Sequence, residues 1–147
     1  MAKNTVKIKS YLNIQEDLPA AAGITPGHLI ERTASNTFQK HSTAGGVAIP
    51  RFAMEDMYQG NGLTDDYVAT NTVISWRPTP GDVVYAIFDA TSGGSCAVGD
   101  FVESTGDGTL RKWTAPASGG ILELPNSVVG QALEAATAGD RFVVEIL

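Results

Sequence analysis

The sequence predicts an all-β protein: a single compact β-barrel or sandwich with an internal duplication of a hairpin-plus-strands unit and a long loop inserted into the first copy. Three observations carry this. Short runs of β-branched and aromatic residues recur along the chain, each bounded by Gly, Pro, Asp or Asn, and no long window holds a helical period. Residues 27–42, GHLIERTASNTFQKHS, align without a gap with residues 99–114, GDFVESTGDGTLRKWT. The 147 residues are 43% apolar and include 16 Gly, which suits one core punctuated by many turns.

The N-terminal stretch, residues 1–14, reads as a basic arm or an edge strand, and residues 15–147 as one β-domain. The first ten residues carry Lys3, Lys7 and Lys9 and no acid, +3; the rest carry seven cations against 16 acids, −9. In VKIK the apolar and charged residues alternate, as in an edge strand whose lysines face water and discourage further pairing. The same arm could dock on an acidic partner surface.

Each aligned segment reads as a hairpin. In the second, Gly106-Asp107-Gly108 forms a three-residue loop whose last residue must be left-handed, and in the first Asn36 takes that place. The implied register sets Phe101 opposite Trp113 and Glu103 opposite Arg111; in the first copy it sets Leu29 opposite His41 and Glu31 opposite Gln39. Each hairpin is followed by a further matched strand, residues 48–56 against 128–136, and then by a Gly-Asp pair opening an apolar strand, Gly81-Asp82 and Gly139-Asp140. The first repeat spans about 24–88 and the second about 96–147. Residues 56–79 are the insertion, and residues 115–127 read as a surface loop.

Several function classes fall away. A formal charge of −6 does not suit a nucleic-acid binder, and no apolar run is long enough to span a bilayer as a helix. The N-terminal stretch lacks the apolar region of a secretory signal, so synthesis is expected in a cytoplasm. One cysteine, Cys96, permits no internal disulfide and reads as a small semi-buried thiol. His28 reads as a turn-exposed residue and His41 as a strand residue packing across from Leu29. Glu31 and Glu103 read as solvated or paired strand positions. No catalytic motif appears, and no enzyme activity, cofactor or metal is expected. A small β-barrel binding module, or a hydrolase using Cys96, are the competing readings.

The insertion is the richest segment. Such loops commonly carry binding, and Met57, Tyr58, Leu63, Tyr67 and Trp76 among small polar residues make an interface-like mixture; the competing reading is that Tyr67 and Trp76 complete the core. The strings RFAMEDMYQGNGLTDDYVATNTV, PGDVVYAIF, CAVGDFVESTGDGTLRKWT and VVGQALEAATAGDRFVVEI resemble the head decoration (capsid cement) proteins of tailed bacteriophages over most of residues 20–147. The resemblance implies a β-rich, non-catalytic protein on the outer surface of the virion, made in the host cytoplasm and bound between major capsid subunits. It also implies self-association, a trimer in preference to a dimer, with no nucleic-acid or membrane partner. The interface expected on this reading comprises Lys3, Lys7, Lys9, Met57, Tyr58, Leu63, Tyr67 and Trp76.

Overall fold

Four turns of one design start the core strands: Thr25-Pro26-Gly27-His28, Thr79-Pro80-Gly81-Asp82, Ala97-Val98-Gly99-Asp100 and Thr137-Ala138-Gly139-Asp140. In each the glycine sits at positive φ, between 82° and 95°, the third position of a type II turn that a side chain would strain. The backbone N–H of the fourth residue donates to the carbonyl of the first at 2.9–3.1 Å. The fourth side chain then accepts from the backbone N–H of the first. Asp82, Asp100 and Asp140 do this at 2.8, 2.8 and 2.9 Å, and His28 Nδ1 does it at 3.0 Å. Each turn is thus closed from both sides.

The computed structural model describes residues 2–91, 94–115 and 126–147, so most of the loop expected over 115–127 lies outside the described residues. The strands among them are β1 (Lys7–Lys9), β2 (Gln15–Pro19), β3 (Ile30–Arg32), β4 (Phe38–Lys40), β5 (Phe52–Ala53), β6 (Thr72–Trp76) and β7 (Val83–Ile87). They continue as β8 (Ser95–Cys96), β9 (Phe101–Ser104), β10 (Leu110–Lys112), β11 (Val128–Ala132), β12 (Ala136–Thr137) and β13 (Arg141–Ile146).

They form four open sheets, and this corrects the expectation of a single closed barrel or sandwich. A six-stranded sheet runs β1-β7-β13-β11-β9-β10; the others run β2-β6-β5, β3-β4 and β12-β8, and every strand pair is antiparallel. Closing a barrel requires its first and last strands to pair along their length. Here the large sheet returns on itself through one isolated bridge, Phe88 to Leu110. Its outer strands, β1 and β10, are three residues each and carry Lys7, Lys9, Arg111 and Lys112, charges that oppose further edge pairing.

Both hairpins take the register their turn chemistry implies. Glu103 pairs with Arg111 and Glu31 with Gln39. Arg111 Nε donates to Glu103 Oε1 at 3.0 Å, Gln39 Nε2 donates to Glu31 Oε1 at 2.8 Å, and the Phe101 and Trp113 rings meet edge to face at 6.5 Å. Asn36 is left-handed at φ 61°, as Gly108 is at 87°. Their settings differ, however: β9–β10 belongs to the large sheet, while β3–β4 stands as a sheet of its own.

Side chains alternate across the large sheet. Val84 and Ala86 of β7, Phe88 beyond it, and Phe142, Val144 and Ile146 of β13 face the main core, where Phe88 and Phe142 meet edge to face at 5.5 Å. Val83, Tyr85 and Val143 face the other way and are covered by Ile8 and Leu63. A second cluster of Ile24, Ile30, Phe38, Tyr67 and Val73 lies under the smaller sheets. Strand β6 serves both clusters: Val73 packs into the second, Ile74 and Trp76 into the first. The inserted segment, expected to carry binding with completion of the core as the competing reading, thus supplies the middle strand of a sheet.

Candidate docking surface

The loop before β6 is built on Asp56. Its buried carboxylate accepts from the N–H groups of Tyr58 and Gln59 at 3.1 and 3.3 Å, and its carbonyl accepts from Asn61 at 3.0 Å. This aspartate turn holds the backbone while projecting the side chains outward. Met57 is 67% exposed and Tyr58 86% exposed, an apolar pair on a hydrogen-bonded support. The backbone beneath the pair is already ordered, so covering it costs the rotamer freedom of the two side chains but little of the backbone's, which suits an anchor in an interface. Leu63, further along, packs half-buried against the outer face of β7 and β13.

The structure separates the other two aromatics of the expected interface from this loop. Tyr67 is 5% exposed and Trp76 0%, so both are core residues. Tyr67 donates its hydroxyl to Met54 O at 2.8 Å, and burial pushes its pKa up to about 12. Trp76 lies in the main core with its indole Nε1–H directed to Leu12 O at 3.4 Å. In both cases the polar tip is satisfied internally and the ring offers no surface to a partner.

The three lysines sit in different settings. Lys9 is exposed, its ammonium 4.8 Å from the centre of the Tyr11 ring, and its contact with Tyr11 raises its pKa. Lys7 lies 5.1 Å from the Trp76 ring and bonds Asn13; burial lowers its pKa. Lys3 pairs with Glu134 at 3.7 Å. The stretch carrying them is not a free arm. Val6 is fully buried, its N–H donates to Glu55 Oε2 at 3.0 Å, and β1 pairs with β7. Beyond β1, Tyr11, Leu12 and Ile14 form an exposed apolar tip that was not among the residues expected at the interface. Its signal was the largely apolar YLNI that follows Lys9 and Ser10.

The remaining singled-out residues fall into structural roles. His28 is 6% exposed, not turn-exposed as expected, because its ring closes the first of the four turns and packs against Gly108. Burial foremost, with Lys40 nearby, pushes its pKa down to about 4. His41 is buried opposite Leu29, with Nδ1 2.7 Å from Ser104 Oγ and Nε2 3.3 Å from Val47 O. Ser104 is itself fully buried, so this serine–histidine contact offers no route to a substrate. Cys96 is buried and burial pushes its thiol pKa up, the reverse of what a nucleophile needs. Burial opposes ionisation of Glu31, but bonds from Gln39 and Ser42 outweigh it and lower its pKa. Among the described residues no group of three or more His, Cys, Asp or Glu is placed to hold a metal ion.

These features define an open, many-sheeted β architecture with an outward loop and no assembled catalytic centre among the described residues. Among solved structures, the chain is similar to the N base of head fiber gp8.5 in bacteriophage phi29, with a TM-score of 0.60 over 92% of this chain and 95% of that one. The two are 14% identical, so the likeness is one of fold. No protein-family model and no curated protein sequence matches the chain.

Proposed function

We propose that the chain is a non-catalytic structural protein of a tailed-phage head, and more narrowly a decoration (cement) protein that sits on the outside of the assembled capsid and bridges neighbouring major capsid subunits. The observation that carries this reading is the fold likeness to a head-fiber base along nearly the whole of both chains, added to the sequence resemblance to head decoration proteins. The hydrogen-bonded Met57–Tyr58 loop and the Lys9–Tyr11 tip supply apolar anchors beside charge, as a docking face requires. Weak contacts repeated over a lattice, with self-association as a trimer or a dimer, would add through avidity.

The test is co-sedimentation of the purified chain with mature capsids lacking it. The chain pellets with the capsids, and capsid disruption shifts to higher temperature. Met57→Ala with Tyr58→Ala lowers occupancy at least tenfold without altering the fold. A chain that stays in the supernatant overturns the proposal. Deleting residues 1–14 is an unsuitable test, since it removes buried Val6 along with the lysines; Lys9→Glu is the cleaner probe of the arm.

A further inference from the structure

Between the N-terminal segment, the turn at 62–64 and the start of β13 lies a cleft of about 430 Å³ lined by Lys3, Asn4, Leu63, Thr64, Tyr85 and Arg141, and by no acid. Arg141 is the unusual member. Its Nη1 donates to Pro26 O at 2.7 Å and its Nη2 to Leu63 O at 2.6 Å, both neutral acceptors. No carboxylate pairs with it among the described residues. A guanidinium carries five N–H donors, so others remain for a ligand.

The group occupies space left by the turn glycine at 27, whose φ of 95° calls for glycine in any case. A Cβ on Gly27 would stand 2.5 Å from Arg141 Nη1, whereas the aligned Gly99 has open space around it. The residue following the Gly-Asp pair is Val83 in the first repeat and Arg141 in the second. The arginine thus breaks the apolar strand pattern and fills space that the turn glycine at 27 leaves open. Burial lowers its pKa; Tyr85, Asp66 and Glu55 offset this only in part, and none of them is in ion-pair contact with it.

We infer that this cleft is a carboxylate-binding site whose occupant is an acidic side chain presented by a partner protein. The planar fork of Arg141 matches two carboxylate oxygens. Leu63 and Tyr85 supply apolar walls for the methylene stem, and Asn4 and Thr64 supply neutral hydrogen-bonding groups. Lys3 is paired with Glu134, which leaves Arg141 as the cation of the lining without an ion-pair partner among the described residues, a match for one carboxylate rather than for a phosphate dianion. The site rests on its own geometry and not on the capsid reading.

The test is titration of the ¹⁵N-labelled chain at fixed ionic strength with N-acetylglutamate N-methylamide, whose side chain holds its one carboxylate. Inorganic phosphate and the glutamine analogue are the controls. Saturable shifts at the Arg141 Nε–H and at the Leu63 and Thr64 amides are expected with the glutamate compound alone. Arg141→Lys loses them. Because that variant also frees Pro26 and Leu63 and can unfold, Lys3→Glu at the rim carries the test independently, weakening binding at least tenfold. No saturable shift, an equal response to phosphate or to the glutamine analogue, or unchanged affinity in Lys3→Glu overturns the assignment. None of these outcomes bears on capsid attachment, which is measured separately.

Discussion

Replacing His28 with Asn separates turn closure from proton binding. The bond from Thr25 N–H needs the lone pair on His28 Nδ1, so the ring is neutral with its proton on Nε2. Protonation would set two donors against each other in a buried place. Unfolded, the imidazole takes up a proton near its ordinary value of 6.5; folded, it does so at about 4. Between those values the unfolded chain binds more protons, so this contribution to stability is complete above pH 6.5 and is lost as pH falls toward 4. From pH 7 to pH 5 the loss amounts to roughly 2 kcal/mol. An Asn carboxamide oxygen can accept the same N–H, as Asp does in the other three turns, without titrating. Urea unfolding at pH 7 and pH 5 is the assay. The wild type loses about 2 kcal/mol more than His28→Asn over that interval, whatever constant cost the smaller side chain brings. Equal losses in the two proteins would refute a buried, neutral His28 as the source of the acid sensitivity.

Further predictions concern packing and backbone. Glu55→Ala removes the acceptor of the Val6 N–H and costs about 1–3 kcal/mol; amide exchange at Val6 and Tyr85 speeds up as β1 loosens, which hydrogen-exchange mass spectrometry reads directly. Gly130→Ala places a Cβ 2.4 Å from Glu145 O between β11 and β13, and thermal unfolding should show a loss of about 1–3 kcal/mol, the overpacking range. At the first hairpin, Asn36→Gly leaves the melting temperature within a few degrees of the wild type, whereas Asn36→Val costs about 1–2 kcal/mol because a β-branched residue resists φ 61°. Trp76→Ala empties part of the main core and should cost about 3–5 kcal/mol by urea unfolding.

What was legible in the sequence is what neighbouring residues decide among themselves. The two hairpins and the Gly-Asp strand starts depend on a few consecutive residues and their allowed φ, so Asn36, Gly108, Asp82 and Asp140 announce them. Sheet closure is decided by partners far apart in sequence. Nothing local tells that β1 pairs with β7, or that β10 bridges to Phe88 on the side away from β9. Tyr67 and Trp76 enter the expected interface because an aromatic in a long connection and one in a core look alike; three apolar residues in four, Val73-Ile74-Ser75-Trp76, are the sign of a doubly buried strand. His28 was placed outside because it follows a turn glycine, and its burial comes from contacts across the fold. Arg141 gave no signal for the opposite reason, since a cation at a strand start ordinarily lies in water.

The placement of β1 sets an order for folding. Its partner, β7, is held on the other side by β13, near the end of the sequence, and Gly81 just before β7 donates to Ile146 O. Glu55, which receives Val6, stands 49 residues further along the chain. A strand that precedes all of these in the chain therefore finds a complete site only once β13 has been translated. Until then Val6 and Ile8 stay unburied, with Lys3, Lys7 and Lys9 around them to keep the waiting segment soluble. The lysines thus have a use during synthesis that does not depend on any partner of the finished protein.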